Sequence, residues 1–239
     1  MAFPLASVTK PLAALAMLVA VEEGAIELSA AADEALIPGA TLRHLLAHAS
    51  GLAPERLLRS FAPGVRRVYS NVGIELAASL VEAAVQMPFA SYVDEGLVQP
   101  LGLSATSLPG SPARDGLSSV DDLARVMQEL LTPQGLLHSS TLADATSVQF
   151  PGLRGVLPGF GGQDPNDWGL GFEIRGTKHP HWTGARNSPA SYGHFGQSGT
   201  MWWVDPVAGI GLVVLTDRDF DAWAADAWPR LSDAVLGAR

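Results

Sequence analysis

The chain has 239 residues, with 47% hydrophobic and 16% charged side chains, a net charge of −9 and no cysteine. The apolar fraction excludes global disorder, and the length suits one substantial core, or one core with a second lobe. The acidic balance argues against nucleic-acid binding, and the absence of cysteine excludes disulfides, thiolate metal sites and a cysteine nucleophile.

The first predicted element is a helix over residues 7–23, which is apolar on nearly every side and therefore expected in the core. Gly24 supplies its C-terminal end. The apolar stretch at residues 11–21 also imitates a secretory signal peptide, but it is too short to span a bilayer. Glu22 and Glu23 stand where a cleavage site is needed. We therefore favour a cytoplasmic location for the chain as given and leave export open.

The segment that follows, residues 25–150, is predicted to be mostly helical. Apolar residues recur at helical spacing after Ser70, and Pro88 marks the end of that helix. Ser118 to Asp122 resembles a capping box, which is typical of a helix start. The predicted helices span residues 41–48, 70–85, 89–99, 118–131 and, more weakly, 139–148.

Strand-like patterns replace helical ones after residue 150. Glycines and prolines predict a long loop over residues 151–167, and residues 176–190 predict a second, polar loop. We predict strands over residues 168–174, 192–204 and 210–216 and a terminal helix over residues 219–236. This order predicts an α/β fold of the α+β type, with an antiparallel sheet flanked by helices. We expect one domain over residues 1–239, with a helical lobe at 25–150 and the sheet and its flanking helices from 1–24 and 151–239.

Ser7 and Lys10 form the sharpest chemical signal in the sequence. Residues three apart share a face of a helix, so the lysine amine can reach the serine hydroxyl. A serine needs an adjacent base to become a nucleophile, and a desolvated lysine loses its proton more easily. The alternative is a capping serine followed by a solvated lysine, because this spacing is common by chance.

Two further segments carry side chains of compatible chemistry. Tyr69 can relay a proton, and the Asn71 amide can bind a substrate carbonyl; the alternative is a helix cap with an aromatic neighbour. Downstream, His194 can join a proton network or bind a substrate, and the Gln197 N–H can donate to an oxyanion. The alternative there is a glycine-rich bend with an incidental histidine.

Together these segments resemble the serine β-lactamase and penicillin-recognising superfamily. The resemblance is closest to the class C-like branch, which includes the family VIII esterases and DD-peptidases. It runs in order over nearly the whole chain, through the stretches Phe3–Lys10, Val21–Leu28, Leu42–Leu52, Tyr69–Gly73 and His194–Gly196. It implies the β-lactamase/transpeptidase-like fold, with its antiparallel sheet and helical lobe.

The resemblance also implies catalytic roles. Ser7 would be the acylated nucleophile and Lys10 its general base. Tyr69 would activate the leaving group and then the deacylating water.

Binding roles follow from the same resemblance. Asn71 would hold the amide or ester side of the substrate. His194 and Gly196 would line the pocket at the sheet edge. The backbone N–H groups of Ser7 and Gln197 would form the oxyanion hole.

The third family motif is often Lys-Thr-Gly, whereas this chain has His194, Phe195 and Gly196. A fixed lysine charge suits the carboxylate of β-lactams and peptides, while histidine carries at best a partial charge at neutral pH. Phe195 also removes a hydrogen-bond donor. The resemblance therefore implies an esterase ahead of a D-amino-acid peptidase, and both ahead of a β-lactamase.

A second departure concerns the start of the chain, because only six residues precede Ser7. The family has strands before the nucleophile helix, so we expect an N-terminally shortened fold with a three-stranded sheet and an exposed edge. An exposed edge invites pairing with another chain. A shortened gene product, a homodimer through that edge and a differently stabilised fold remain open.

His44 and His48 are four residues apart, a spacing that can bind zinc. No glutamate follows His44 in the manner of a zinc-protease motif, and no third ligand is evident. We therefore expect neither a metal nor an organic cofactor.

The leading hypothesis is a serine hydrolase that forms an acyl-enzyme with a small ester, amide or β-lactam. No nucleic acid and no membrane span are expected. The alternative is a non-catalytic, penicillin-binding-like or interaction protein with a relic active site.

Overall fold

The structure, a computed structural model, describes residues 1–238 and gives every predicted helix a counterpart. The helices are α1 (Thr9–Glu22), α2 (Leu42–Leu46), α3 (Asn71–Val85), α4 (Phe89–Val93), α5 (Gln99–Leu101), α6 (Val120–Leu131), α7 (Ser139–Ala145) and α8 (Ala222–Gly237). The strands are β1 (Phe3–Pro4), β2 (Leu117–Ser118), β3 (Gly155–Leu157), β4 (Gly161–Gln163), β5 (Glu173–Ile174), β6 (Tyr192–Gly196), β7 (Thr200–Asp205) and β8 (Ile210–Val214). A 3₁₀ turn at Ala6–Val8 leads into α1, and a π-helical turn at Asp94–Val98 joins α4 to α5.

Helix α1 lies at the centre of the larger apolar core, as its all-round apolar sequence predicts. Its small residues allow close packing: a Cβ on Gly171 would lie 2.2 Å from the Cβ of Ala14. The helix therefore touches the segment before β5 almost backbone to backbone. It ends before Gly24, which has a φ of +74°.

Side-chain caps begin the two other long helices of this part of the chain. Ser70 Oγ accepts a hydrogen bond from the Gly73 N–H at 3.0 Å at the start of α3. Ser119 Oγ accepts from the Asp122 N–H at 3.2 Å at the start of α6. These contacts satisfy N–H groups that a helix start otherwise leaves unpaired.

The main sheet is antiparallel with the order β5-β6-β7-β8, and His194 pairs with Trp202 across its middle. It has four strands, so the three-stranded expectation is wrong. The predicted strand over residues 192–204 is two strands, because the chain reverses at a turn that ends at Gly199, with a φ of +72°. Of the predicted strand over residues 168–174, only Glu173–Ile174 (β5) is a strand in the structure.

The predicted loop over residues 151–167 is also wrong in part, since it contains the antiparallel hairpin β3–β4. Gly159 and Gly161 both have positive φ at its turn. Each of its strands has only three residues, too few to give a readable alternation of apolar and polar side chains.

Consecutive residues of β7 face opposite sides of the sheet, so Trp202 and Trp203 join different cores. Trp202 packs in the core around α1, and Trp203 packs with Trp228 of α8 in a second, smaller core. The sheet is therefore covered by helices on both faces, which agrees with the predicted architecture.

The short strand β1 pairs with β2, and the Leu5 N–H donates to Gly116 O at 2.9 Å. At the other side of the fold, β8 is an outer strand of the main sheet, and its five residues are all partly exposed. Among residues 1–238 no single helix is long and apolar enough to cross a membrane. The pair Asn71–Val85 and Phe89–Leu101, bent by 83°, meets those criteria jointly, by length and composition only.

Candidate active site

Ser7 lies in the 3₁₀ turn that opens α1, and the backbone around it is held from two sides. The Thr200 hydroxyl donates to Leu5 O at 2.8 Å, while the Leu5 N–H bonds Gly116 O. Ala6, directly before the serine, has a φ of +46°. This left-handed conformation costs a non-glycine residue about 1–2 kcal/mol, so the surrounding contacts must maintain it.

Gly196 explains how the sheet reaches this turn. A Cβ at that position would lie 2.3 Å from Leu5 O, so only glycine lets β6 approach the segment that precedes Ser7. Gly196 is buried and does not line the cavity described below. In the structure Gly196 packs behind the Ser7 turn, and a contact between Gly196 and a substrate stays a prediction.

Three predicted residues meet at the Ser7 hydroxyl. Lys10 Nζ donates to Ser7 Oγ at 3.0 Å, and the Tyr69 hydroxyl donates to the same oxygen at 2.6 Å. Tyr69 precedes α3 and lies 62 residues further along the chain than Ser7. The arrangement links a hydroxyl, an amine and a phenol through a single oxygen atom.

Lys10 is fully buried, and its amine also donates to Ala113 O at 2.8 Å. Burial lowers its pKa well below the ordinary lysine value, and the nearby Arg114 guanidinium lowers the pKa further. Among the described residues no carboxylate forms an ion pair with it. This environment favours the neutral amine, the form that can accept the Ser7 proton.

Tyr69 is in the opposite situation. Burial raises the pKa of its phenol well above the ordinary tyrosine value, despite the lowering effect of the Ser7 hydrogen bond. Its ring packs 4.8 Å from that of His48, and Lys10 Nζ lies 4.6 Å from the ring centroid. The hydroxyl therefore stays protonated and acts as a donor.

His194 lines the cavity but carries no charge at neutral pH. Burial lowers its pKa to about 3. Its Nδ1 lies 2.6 Å from Phe195 O, and because a carbonyl only accepts, Nδ1 carries the proton. Nε2 is then an acceptor, and it finds no hydrogen-bond partner among the described residues.

Asn71 opens α3, and its side-chain amide is already engaged. Its Nδ2 donates to Glu55 Oε1, while its Oδ1 is buried without a partner among the described residues. The other carboxylate oxygen of Glu55 lies 3.1 Å from Arg114, which also reaches Glu75 at 3.5 Å. Sequence reasoning missed Glu55, because it belongs to no motif and its proximity to Asn71 arises only from the fold.

Gln197 begins the turn between β6 and β7 and lies at the cavity wall. Its side-chain amide donates to Phe220 O at 3.0 Å, and the Phe220 N–H donates to Gln197 O at 2.8 Å. These two bonds fix the position of the turn. The role of the Gln197 backbone N–H as an oxyanion donor stays a prediction.

The cavity at Ser7 has a volume of about 260 Å³. Sequence reasoning missed Leu157, Pro158 and Glu173 in its wall. Its lining comprises Ser7, Glu55, Tyr69, Asn71, Leu157, Pro158, Trp168, Glu173, His194, Phe195 and Gln197.

Glu173 places a buried carboxylate at this cavity, and the positive charge of Lys178 balances its negative charge. Burial by itself would raise its pKa, but His181 and Lys178 lower the pKa to about 2. Lys178 forms an ion pair with it, His181 Nε2 lies 3.0 Å away, and the Trp182 N–H donates to it. Its negative charge is therefore satisfied within the protein.

Three comparisons with known proteins identify the family and the fold of the chain. A family model described as beta-lactamase matches residues 1–236. A crystal structure of a beta-lactamase from Mycobacterium bovis is 52% identical, with a TM-score of 0.96, over 99% of this chain and 87% of the other. These matches confirm the predicted fold class and the superfamily resemblance.

Two more distant proteins also match. The structure of EstCE1, a hydrolase with promiscuous acyltransferase activity, is 20% identical with a TM-score of 0.80, over 99% of this chain and 85% of the other. A Salmonella schwarzengrund protein, provisionally named a D-alanyl-D-alanine carboxypeptidase, is 26% identical over 66% of this chain and 46% of its own length. The chain thus spans about half the length of the curated relatives it matches.

Proposed function

The chain belongs to the beta-lactamase family of hydrolases, and on that premise we propose that it is a serine hydrolase that forms an acyl-enzyme on Ser7. The observation that carries the proposal is the pair of hydrogen bonds at Ser7 Oγ, one with a buried amine and one with a protonated phenol. A serine hydroxyl needs such a base to attack a carbonyl carbon.

In the proposed acylation step, neutral Lys10 takes the Ser7 proton as Oγ bonds to the carbonyl carbon. The backbone N–H groups of Ser7 and Gln197 stabilise the negative oxygen of the tetrahedral intermediate. Tyr69 gives its proton to the leaving oxygen or nitrogen and recovers one from protonated Lys10. The leaving group departs, and the acyl group remains on Oγ.

Deacylation reverses the proton route. Water attacks the acyl carbon and gives a proton through Tyr69 to Lys10, and the Ser7 oxygen then recovers a proton as the acid product leaves. Every proton in both steps passes between Ser7, Lys10, Tyr69 and the reactants. No other group is required for the balance.

Among substrates we rank small esters first, amides of D-amino acids second and β-lactams third. Uncharged His194 is the first support, because it offers an acceptor where a carboxylate needs a cation. The Glu55 carboxylate at the cavity wall is the second, because Glu55 and Glu75 share the single guanidinium of Arg114 and the remaining negative charge repels anionic substrates. A carboxylate-free ester meets neither obstacle.

The competing hypothesis is a non-catalytic binding protein with a relic site. Its support is the bond between Asn71 and Glu55, since this bond occupies the amide that would otherwise bind a substrate carbonyl.

The deciding experiment is intact-protein mass spectrometry after incubation with a fluorophosphonate. We expect one adduct on the wild type, none on Ser7→Ala, and the wild-type result on Ser79→Ala, an exposed helix serine. Turnover of an activated ester should follow the same pattern. A folded wild type without adduct and without turnover would favour the relic-site hypothesis.

A further inference from the structure

His48, which follows α2, holds the backbone around Tyr69 at two points. The N–H of Val68, the residue before Tyr69, donates to His48 O at 2.9 Å. The N–H of Ser70, the residue after it, donates to His48 Nδ1 at 3.2 Å. A single histidine therefore fixes the chain on both sides of the phenol that bonds Ser7.

The His48 ring also restricts where the Tyr69 side chain lies. The centroids of these two rings are 4.8 Å apart. The ring centroid of Trp168 lies 4.6 Å from that of His48 and 5.8 Å from that of Tyr69, so the three rings form one packed cluster. Packing of this kind leaves little room for displacement. From this cluster the Tyr69 hydroxyl reaches Ser7 Oγ at 2.6 Å.

The backbone of His48 adopts an uncommon conformation at this point. Its φ is +53°, in the left-handed region, which is unfavourable for a residue with a Cβ. Histidine, asparagine and aspartate tolerate this region better than most other residues. His48 is also buried, with 1% exposure. A buried residue in such a conformation, directly beside a reacting hydroxyl, points to a role in the reaction.

The hydrogen bond with Ser70 fixes the position of the proton on the His48 ring. Because a backbone N–H only donates, Nδ1 is the unprotonated acceptor and Nε2 carries the proton. Burial lowers the pKa of His48 well below the ordinary histidine value, so the ring stays neutral. His194 has the opposite tautomer, with its proton on Nδ1.

We propose that His48 is a positioning residue, one that holds the Tyr69 hydroxyl at Ser7 Oγ through the Ser70 N–H and the packed ring. This inference rests on the proposed function. Tyr69 transfers the proton, whereas His48 exchanges none and only fixes the distance to Ser7. A displacement of about 1 Å can cost a reaction about 10²-fold in rate.

The test compares His48→Leu with His48→Asn, two side chains of nearly the same shape. Only asparagine offers an acceptor where Nδ1 stands, and it tolerates a positive φ. With an alkyl ester, we expect His48→Leu to lower kcat by about 10–100-fold and His48→Asn to recover most of that loss. The loss should be smaller with a p-nitrophenyl ester, whose leaving group needs a proton less. Rates are normalised to the fraction of protein that a fluorophosphonate labels.

A double-mutant cycle separates positioning from a general loss of structure. In the Tyr69→Phe background His48→Leu should cost less than about 2-fold, because the hydroxyl that it positions is gone. The matched control is His44→Leu. His44 Nδ1 also accepts a backbone N–H, that of Thr41, at 3.2 Å, but its ring stacks on Phe150. We expect this control to lower Tm without distinguishing the two ester types.

The ring tautomer of His48 gives a measurement that needs no variant at His48. Imidazole nitrogen NMR shifts distinguish the two neutral tautomers, and we expect the proton of His48 on Nε2. His194→Gln assigns the signal, because it removes the other histidine ring near Tyr69, at a centroid distance of 5.8 Å. A proton on Nδ1 of His48 would exclude the bond with Ser70 and overturn the inference.

The kinetic outcomes separate this inference from the proposed function. Equal losses on both ester types in His48→Leu, or an undiminished loss in the Tyr69→Phe background, would mean a structural role only. Either result would overturn the positioning role and leave the proposed function intact. Absence of Ser7-dependent turnover on every ester would instead contradict the proposed function, and the positioning role with it.

Discussion

The amine of Lys10 lies 3.0 Å from the hydroxyl oxygen of Ser7, in a position with no exposure to solvent. Burial lowers the pKa of this amine well below the ordinary lysine value. A folded state that lowers a lysine pKa binds fewer protons than the unfolded chain, so stability is lost wherever the unfolded lysine is charged. Lys10 therefore destabilises the fold at neutral pH, and the proposed mechanism uses its neutral amine as the base for Ser7.

The first prediction is that Lys10→Met removes activity and raises stability. We expect kcat/KM to fall by about 10²–10⁴-fold and Tm at pH 7 to rise by at least about 2 °C. Ester kinetics and thermal unfolding measure the two effects. In the wild type, activity should fall as pH drops through the lowered Lys10 pKa, because the base must be unprotonated.

The matched control is Lys178→Met, at the other buried lysine. Lys178 forms an ion pair with Glu173 and donates to Asp167 O at 2.6 Å. Its removal leaves a buried carboxylate without that partner, which costs about 3–5 kcal/mol. We expect this variant to lower Tm. A Lys10→Met variant that is less stable than the wild type would contradict the claim that the buried Lys10 amine destabilises the fold.

The second prediction concerns Tyr69, whose raised pKa keeps the phenol protonated. Tyr69→Phe deletes the hydroxyl that the proposed mechanism uses to protonate the leaving group, and it keeps the ring that packs against His48. We expect a loss of about 10²–10³-fold in kcat, smaller for an ester with an acidic leaving group such as p-nitrophenol than for an alkyl ester. Steady-state kinetics on both ester types measure the ratio.

The wild-type pH profile gives an independent check on Tyr69. Because the Tyr69 phenol stays protonated across neutral pH, the wild-type kcat/KM should not fall between pH 7 and about pH 9 through ionisation of Tyr69. Any fall in that range should therefore also be present in Tyr69→Phe. A fall that Tyr69→Phe removes would mean that Tyr69 titrates there, contrary to its buried position.

The fold was largely readable from sequence where the pattern was long and regular. The apolar run of α1 and the spacing after Ser70 predicted two helices within two residues of their observed ends. The segment 192–204 failed because its apolar residues continue through a turn whose only sequence signal is Ser198–Gly199. The hairpin at 155–163 failed because its strands are shorter than the pattern needed to detect them.

The residues of the candidate site also fall into two groups, those in recognisable sequence motifs and those brought in only by the fold. Ser7, Lys10 and Tyr69 lie in recognisable segments, and the fold brings their polar atoms together. Glu55 and Glu173 had no such signal, since neither belongs to a recognisable motif. The pairing of Glu55 with Asn71 spans 16 residues and depends on how the 53–58 segment folds back. Such contacts are decided by tertiary packing, which sequence spacing alone does not encode.

The third prediction is that Glu55 controls the charge preference of the site. Its carboxylate lies at the cavity wall and bonds the Asn71 amide. Glu55→Gln removes the negative charge and keeps the shape. We expect the kcat/KM ratio of an ester with a terminal carboxylate to its neutral amide analogue to rise by about 3–10-fold, as removal of one partly screened charge allows.

Salt supplies a second readout for Glu55, because repulsion between exposed charges is screened. The wild-type ratio should rise between low salt and 0.5 M salt, and the Glu55→Gln ratio should change less. Glu95→Gln, an exposed glutamate on the π-helical turn, is the control and should behave as the wild type. Equal ratios in wild type and Glu55→Gln would remove Glu55 from substrate selection.

The last prediction is a loss of stability in mild acid. Burial lowers the pKa of His48, His181 and His194 below the ordinary histidine value, to about 3 for His194. As the pH falls through about 6.5, each histidine therefore binds fewer protons in the folded protein than in the unfolded chain. The sign is therefore a fall in stability as pH drops below 6.5, up to about 1.4 kcal/mol per pH unit for each histidine.

Thermal unfolding at pH 7.5, 6.5 and 5.5 measures this fall. The decrease in Tm should be smaller in His194→Gln, because that variant has one fewer group to protonate on unfolding. Exposed His179→Gln is the control and should follow the wild type. A Tm that stays level from pH 7.5 to 5.5 would mean that the buried histidines accept protons in the folded protein. His194 could then carry a charge in the cavity, and the argument for neutral esters over carboxylate-bearing substrates would lose its main electrostatic support.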